Sequence, residues 1–337
     1  MIAKYEEYRQ AVEAELRDVF AGREGFLYKL LRYHLGWVDE QGRPDDGNTP
    51  LHFQGAVALV ACEAIGGDYA AALPAAAGVE LVHHFTLVHG EVQAGRAESI
   101  DRPGIWWVWG PAQAINAGDG LHALGRTAMM RLGKRGTPPD RVLMAVRSLD
   151  QACLRLCEGQ YMDLEFQDQL MVTSGAYMDM VDRKSGALAG SSAETGALVA
   201  GADDARCSAM LKLGVKLGAA WQIARDTAEF WGERGDAITA SNIISKKKSL
   251  PVIHALEHGS VSAKREMGGI YMKRVLEQED VSRLVSILEE TGARAAAEER
   301  AGQLVEEGLT EAASAGVPQG GMEQLRELAQ WALAGGR

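Results

Sequence analysis

The sequence predicts an all-α chain, and three observations carry that expectation. Apolar residues recur at helical spacing along most of the 337 residues. No stretch keeps the apolar–polar alternation of a half-buried strand. Short clusters of Gly, Pro, Asp and Asn punctuate the periodic segments, as loops between packed helices do. A hydrophobic content of 47% is enough for a sizeable core. One domain is expected over residues 1–337.

In chain order, residues 2–33 read as one or two amphipathic helices. Residues 35–50 are a loop dense in Gly, Pro, Asp and Asn. An apolar helix follows over 51–65, broken by Gly66-Gly67-Asp68. Ala70 to His89 is the next long helix. Val79, Val82, Leu87 and Val88 fall near one face of it, with His83, His84 and His89 beside them. A polar joint, Gly95 to Gly104, leads to Trp106, Trp107 and Trp109. Pro111 to Arg126 reads as a helix with proline in its first turn. Residues 139–158 form another, running on into EGQYMDLEF. Helices are expected around Tyr177 to Lys184, around Ser191 to Ala202, and over 203–232. A polar loop, 234–249, carries Lys246-Lys247-Lys248. Three further helices fill 250–335, with breaks near Gly268-Gly269 and Gly316-Val317-Pro318.

Composition excludes several classes. The formal net charge is −11, which argues against a nucleic-acid binder, whose footprint is a basic patch. No run of about 18 uncharged apolar residues appears, so no membrane span is expected. The N-terminus is charged and helical in pattern, unlike a signal peptide, and a cytoplasmic protein is expected. Cys62, Cys153, Cys157 and Cys207 make no zinc pattern and read as reduced core thiols.

Three pieces carry a resemblance: Ala61 to Asp68 (ACEAIGGD), Glu80 to His89 (ELVHHFTLVH) and Trp106 to Leu121 (WWVWGPAQAINAGDGL). Over roughly residues 27–300 the chain resembles the trans-isoprenyl diphosphate synthase (polyprenyl synthetase) family. The resemblance implies the isoprenoid synthase fold, a helical bundle around a deep central cavity, usually dimeric. It implies an isoprenoid or allylic diphosphate as ligand. It also implies two aspartate-rich D-D-x-x-D motifs on facing helices that hold Mg²⁺ against the substrate phosphates.

The chain departs from the family at those motifs. The first falls on Gly90-Glu91-Val92-Gln93-Ala94, so Gly90 and Ala94 lack ligand atoms and Glu91 is the acid left. Either this face has become small and apolar, or Glu91 and Glu98 rebuild a site. The second falls on Arg225-Asp226-Thr227-Ala228-Glu229. Its leading position holds Arg225, a fixed cation that repels Mg²⁺ if it points inward. Asp226, Glu229 and Glu233 share one helical face and are the set on which a residual Mg²⁺ site would depend. The positions of Arg225, Glu229 and Glu233 match the metal triad of class I terpene synthases. A solvated acidic face or an ion pair with Arg225 is the plainer reading. Otherwise no metal or cofactor is expected.

The resemblance also places diphosphate-binding residues. The family's basic homoallylic segment falls on Pro50-Leu51-His52 and Gln54, where one histidine is a poor replacement for several cations. The arginine pair after the first motif falls on Ser99-Ile100, with Arg96 and Arg102 nearby to compensate. The family's lysine–threonine pair falls on Lys184-Ser185. Gln222 keeps the family residue, and the lysine loop retains Lys247. His83 and His89 match common family positions, as core or cavity-edge residues. The tryptophans either line a pocket that stabilises carbocations or pack a helix start. Two functions are therefore open. One is an isoprenoid-binding homologue without chain elongation, a non-catalytic or modulatory partner of an active prenyl synthase, as homodimer or heteromer. The other is a divergent prenyltransferase or terpene-synthase-like enzyme using Arg225, Lys184 and the Lys246–Lys248 loop in place of much of the metal.

Overall fold

The structure, a computed structural model, describes residues 2–45, 51–95, 102–169, 171–231, 247–273 and 275–335. It is all-α: the described residues hold helices and one isolated bridge, Val38 to Pro44. Two compact units emerge. The first comprises residues 1–150, 191–210 and 317–324, the second 151–190, 211–316 and 325–337.

The first unit opens with α1 (Ile2–Val19) and α2 (Phe26–His34). Next comes α3 (Phe53–Ile65), which Gly66 ends with φ 100° while its N–H bonds back to the carbonyls of Cys62 and Glu63. That is the left-handed cap glycine adopts without strain. Asp68 caps α4 (Tyr69–Ala94), accepting from the Ala70 N–H. The expected end at His89 is passed. Gly90 stays helical and Gly95 closes the helix with φ 61°. The tryptophans form a short helix, α5 (Ile105–Trp109), and Pro111 starts α6 (Pro111–Met129).

α4 packs on α3 and α6. Its contact with α6 depends on two glycines. A Cβ on Gly78 would lie 2.9 Å from the Gly125 carbonyl oxygen, and one on Gly125 would lie 2.9 Å from that of Gly78. By composition α4 is long and apolar enough to cross a membrane, but 67% of its most apolar window is buried inside the protein. Leu81, Leu121 and Met129 are fully buried here, and each such side chain contributes about 1.5–3 kcal/mol.

α7 (Pro139–Asp168) extends ten residues past the expected Glu158. α8 (Ser174–Val181) follows, then a π-helical turn over Asp182–Gly186, α9 (Ala187–Val199) and α10 (Asp204–Trp231). In the second unit, residues 250–335 hold five helices rather than three: α11 (Leu250–His258), α12 (Val261–Met272), α13 (Gln278–Glu290), α14 (Ala293–Ser314) and α15 (Gln319–Leu333), the first residues of α15 belonging to the first unit. The helices break after His258, after Met272 and after Glu290, whereas Gly268-Gly269 sit inside α12 with open space where a Cβ would stand. Met267, Leu284, Ile287 and Leu288 build the apolar core of these helices. Cys62, Cys153 and Cys207 are buried free thiols as expected, whereas Cys157 is exposed.

Candidate functional site

In the second unit Gln222 and Asp226 line one pocket with Lys184 of the π-helical turn. Gly159 of α7 lets this turn approach, since a Cβ there would lie 2.4 Å from the Lys184 backbone nitrogen. π-Turns interrupt helices most often at functional positions. Lys184 Nζ donates to Asp163 Oδ2 at 2.5 Å. Ser185 Oγ donates to Gln222 Oε1 at 2.9 Å, and Gln222 Nε2 donates to Asp226 Oδ1 at 2.8 Å. The Tyr177 hydroxyl donates to Asp226 Oδ2 at 3.2 Å. Lys247 Nζ lies 3.8 Å from Asp226 Oδ1. Asp163, Tyr177, Lys184, Gln222, Asp226 and Lys247, with Lys248 and Met180, line one small pocket.

Burial pushes the Lys184 ammonium below its ordinary range, and Lys247 beside it adds to the effect, against the pull of Asp163. Burial and the Asp226 charge push the Tyr177 phenol well up, so the hydroxyl stays a donor. Three lysines and two aspartates thus share the lining of this pocket. The sequence pattern missed Asp163 and Tyr177, which lie outside both motifs.

Arg225 is not part of this cluster. It is exposed, and its guanidinium lies over the Trp221 ring, 4.7 Å from the centroid. Among the described residues it makes no ion pair, so the expected pairing with Asp226 or Glu229 is not formed. The reason is geometric. Adjacent helical residues point about 100° apart, so with Asp226 facing in, Arg225 faces out. Glu229 is exposed while Asp226 is buried, and the two do not share an environment. Glu233 and Lys246 lie outside the described residues.

The residues of the first motif and the homoallylic segment lie in the first unit. Gly90 has open space where a Cβ would stand, and Ala94 is exposed. The Glu91 carboxylate packs against Gly104, where a Cβ would meet it at 2.5 Å. His89 Nε2 lies 3.1 Å from the Ile115 carbonyl oxygen. Arg102 donates to the carbonyls of Tyr33 and Val38 at 3.0 and 3.2 Å and to Asp45 at 3.1 Å. It ties the chain after α2 rather than standing ready for phosphate. Arg96, Glu98, Ser99 and Ile100 lie outside the described residues. Trp109 packs edge-on to Tyr33 at 4.8 Å and Trp107 is 60% exposed, so these two pack a helix start and the surface.

Among the described residues of the two motifs, the side-chain carboxylates are those of Glu91, Asp226 and Glu229. Gly90 and Ala94 have no oxygen to offer, and Asp226 is already held by neutral donors and an ammonium group.

His52 sits at the head of α3 in the left-handed region, φ 52°, the one non-glycine residue with positive φ among the described residues. Its Nδ1 lies 3.4 Å from Glu80 Oε2 and its Nε2 lies 3.4 Å from Glu13 Oε2. Glu80 Oε1 accepts from the Gly55 N–H at 2.7 Å. Burial opposes protonation of His52, yet Glu13 and Glu80 raise it to about 9. Burial likewise works to raise the Glu80 carboxyl, but the His52 hydrogen bond and charge outweigh it and hold it low. His84 Nδ1 lies 3.1 Å from His34 Nε2. Burial drives both imidazoles toward the neutral form, His34 to about 4.

The polyprenyl synthetase family model matches residues 52–288. A geranylgeranyl diphosphate synthase of Mycobacterium tuberculosis is 36% identical over 269 residues, covering 79% of this chain and 75% of that protein. A (2E,6E)-farnesyl diphosphate synthase of the same organism is 30% identical over 327 residues, covering 96% and 90%. The crystal structure of a polyprenyl synthetase from Streptomyces coelicolor A3(2) superposes with a TM-score of 0.88 at 29% identity, covering 97% of this chain and 98% of that one. With the family model and these relatives in agreement, the chain belongs to the polyprenyl synthetase family.

Proposed function

We propose that this chain is an isoprenoid-binding member of its family that has left magnesium-dependent chain elongation. In this reading it acts as a non-catalytic or modulatory partner of an active prenyl synthase. The observation that carries the reading is the state of Asp226. This acid of the second motif stays buried, and Lys247, Gln222 and Tyr177 already occupy it. Two unit charges about 4 Å apart interact by about 4 kcal/mol at an effective dielectric of ~20, and a doubly charged ion doubles the repulsion from each ammonium. A Mg²⁺ ion at Asp226 would have to displace Lys247, and Gly90 and Ala94 supply nothing to compensate.

The lysines favour a ligand that is itself anionic. Lys184, Lys247 and Lys248 line one pocket of about a water's volume, and a diphosphate meeting them there once the pocket widens gains charge-assisted donors without metal. The same observation supports the second reading, an enzyme that handles an allylic diphosphate with these cations. In the first reading the chain associates with a synthase or with a second copy.

The test is incubation with isopentenyl diphosphate and allylic diphosphates of several lengths, with and without Mg²⁺, alone and with a complete synthase. Binding without condensation, together with a change in the synthase's rate or product length, supports the first reading. Product formed by the chain alone supports the second.

A further inference from the structure

We infer that His52, Glu80 and His84 form a binding site for a transition-metal ion of the Zn²⁺ class, at the place where the family's homoallylic segment has lost its cations. One donor atom of each residue lies within 4.8 Å of one from each of the others. The three residues are 1–3% exposed. Glu80 and His84 are four apart on α4 and so share one face. His52 is brought to them from the head of α3.

The pattern of bonds around the three decides which atoms remain. Glu80 Oε1 is taken by the Gly55 N–H, which leaves Oε2. His52 Nε2 faces Glu13, which leaves Nδ1 toward Glu80. His84 Nδ1 faces His34, and His84 Nε2 is buried without a hydrogen-bond partner. A buried ring nitrogen without a partner is uncommon and calls for an explanation. An ion supplies one.

Each ligand thus has one atom held from behind and one left over, as supporting groups do at metal sites. With His84 Nδ1–H donating to His34, the lone pair lies on Nε2. With His52 Nε2–H donating to Glu13, the lone pair lies on Nδ1. An ion there takes the place of the proton between His52 and Glu80. Two imidazoles and one carboxylate suit Zn²⁺ and its neighbours, whereas Mg²⁺ prefers oxygen throughout. Three protein ligands leave a fourth position open, and the chemistry that fits it is water or a substrate oxygen. The assignment does not depend on whether the chain elongates isoprenoids.

The full-length chain is stripped with chelator, dialysed and titrated with Zn²⁺, with the bound ion counted by elemental analysis. About one Zn²⁺ per chain is expected, with no comparable uptake of Mg²⁺. Glu80→Gln and His84→Phe lose stoichiometric binding. Glu13→Gln, which touches only the support of His52, weakens it about 10–100-fold. His258→Ala, in the second unit, leaves it unchanged. Should the buried variants unfold, as circular dichroism will report, the wild-type chain loaded with Co²⁺ and the Glu13→Gln variant decide. Visible ligand-field bands of nitrogen and oxygen coordination that Zn²⁺ abolishes, with weakened affinity in Glu13→Gln, support the site. No stoichiometric Zn²⁺ on the wild-type chain, or uptake indifferent to Glu13→Gln, overturns it.

Discussion

Lys247→Met removes the ammonium group nearest Asp226 and keeps most of the side-chain volume. The separation of 3.8 Å sets the scale: at an effective dielectric of ~20 the pair is worth about 4 kcal/mol. Two features reduce that figure. The Lys247 side chain is 18% exposed, so water screens part of the interaction. Gln222 and Tyr177 go on donating to the carboxylate, and Lys184 lies in the same pocket. A loss of about 2 kcal/mol is therefore expected, below the 3–5 kcal/mol of a fully buried pair cut in half. The assay is urea unfolding of the wild-type chain, Lys247→Met, Asp226→Asn and the double variant. Their coupling energy should be about 1–2 kcal/mol, with the double variant more stable than the two losses added together. A coupling below about 0.5 kcal/mol would show that Lys247 does not neutralise Asp226, and the charge argument against magnesium would fail.

Further outcomes follow from the same structure. Gly125→Ala should destabilise by about 1–3 kcal/mol in thermal unfolding, because its Cβ meets the Gly78 carbonyl oxygen on α4. Gly90→Asp combined with Ala94→Asp should fold as the parent does, since Gly90 has open space and Ala94 is exposed, and should raise Mg²⁺ affinity in calorimetric titration with a diphosphate analogue present. Arg225→Met should shift stability by no more than about 0.5–1 kcal/mol, the value of an exposed cation–π contact, as melting curves will report. Lys184→Met should cost more than Arg225→Met in the same experiment, because it leaves the buried Asp163 without its ammonium partner.

The helices of the first half were legible because their punctuation is strong. Gly66, and Gly110 with Pro111, end or begin a helix where the sequence places a break. The C-terminal third was harder. Gly268-Gly269 looks like a break, but nothing crowds those glycines and the helix runs through them. The chain breaks instead after His258, after Met272 and after Glu290. The end of α4 was misplaced for the same reason, since nothing crowds Gly90 and a glycine costs a helix only about 1 kcal/mol.

At the site, residue type alone did not say which way a side chain points. Arg225 and Asp226 are neighbours in sequence, yet one is exposed and the other buried. The His52, Glu80 and His84 cluster was legible only in part. A glutamate inside the apolar run Val79 to Val82, with a histidine four residues later, is a signal that both share a buried face. That His34 and His52 come to meet them depends on α2 and the head of α3, which spacing does not encode.

The central claim is that this chain no longer elongates isoprenoids with magnesium, and a condensation assay tests it most directly. Purified chain is incubated with radiolabelled isopentenyl diphosphate and farnesyl diphosphate across a Mg²⁺ series, and the extracted prenyl product is counted against a boiled control. The account predicts counts equal to the control at every Mg²⁺ concentration. Product that rises with Mg²⁺ would contradict it.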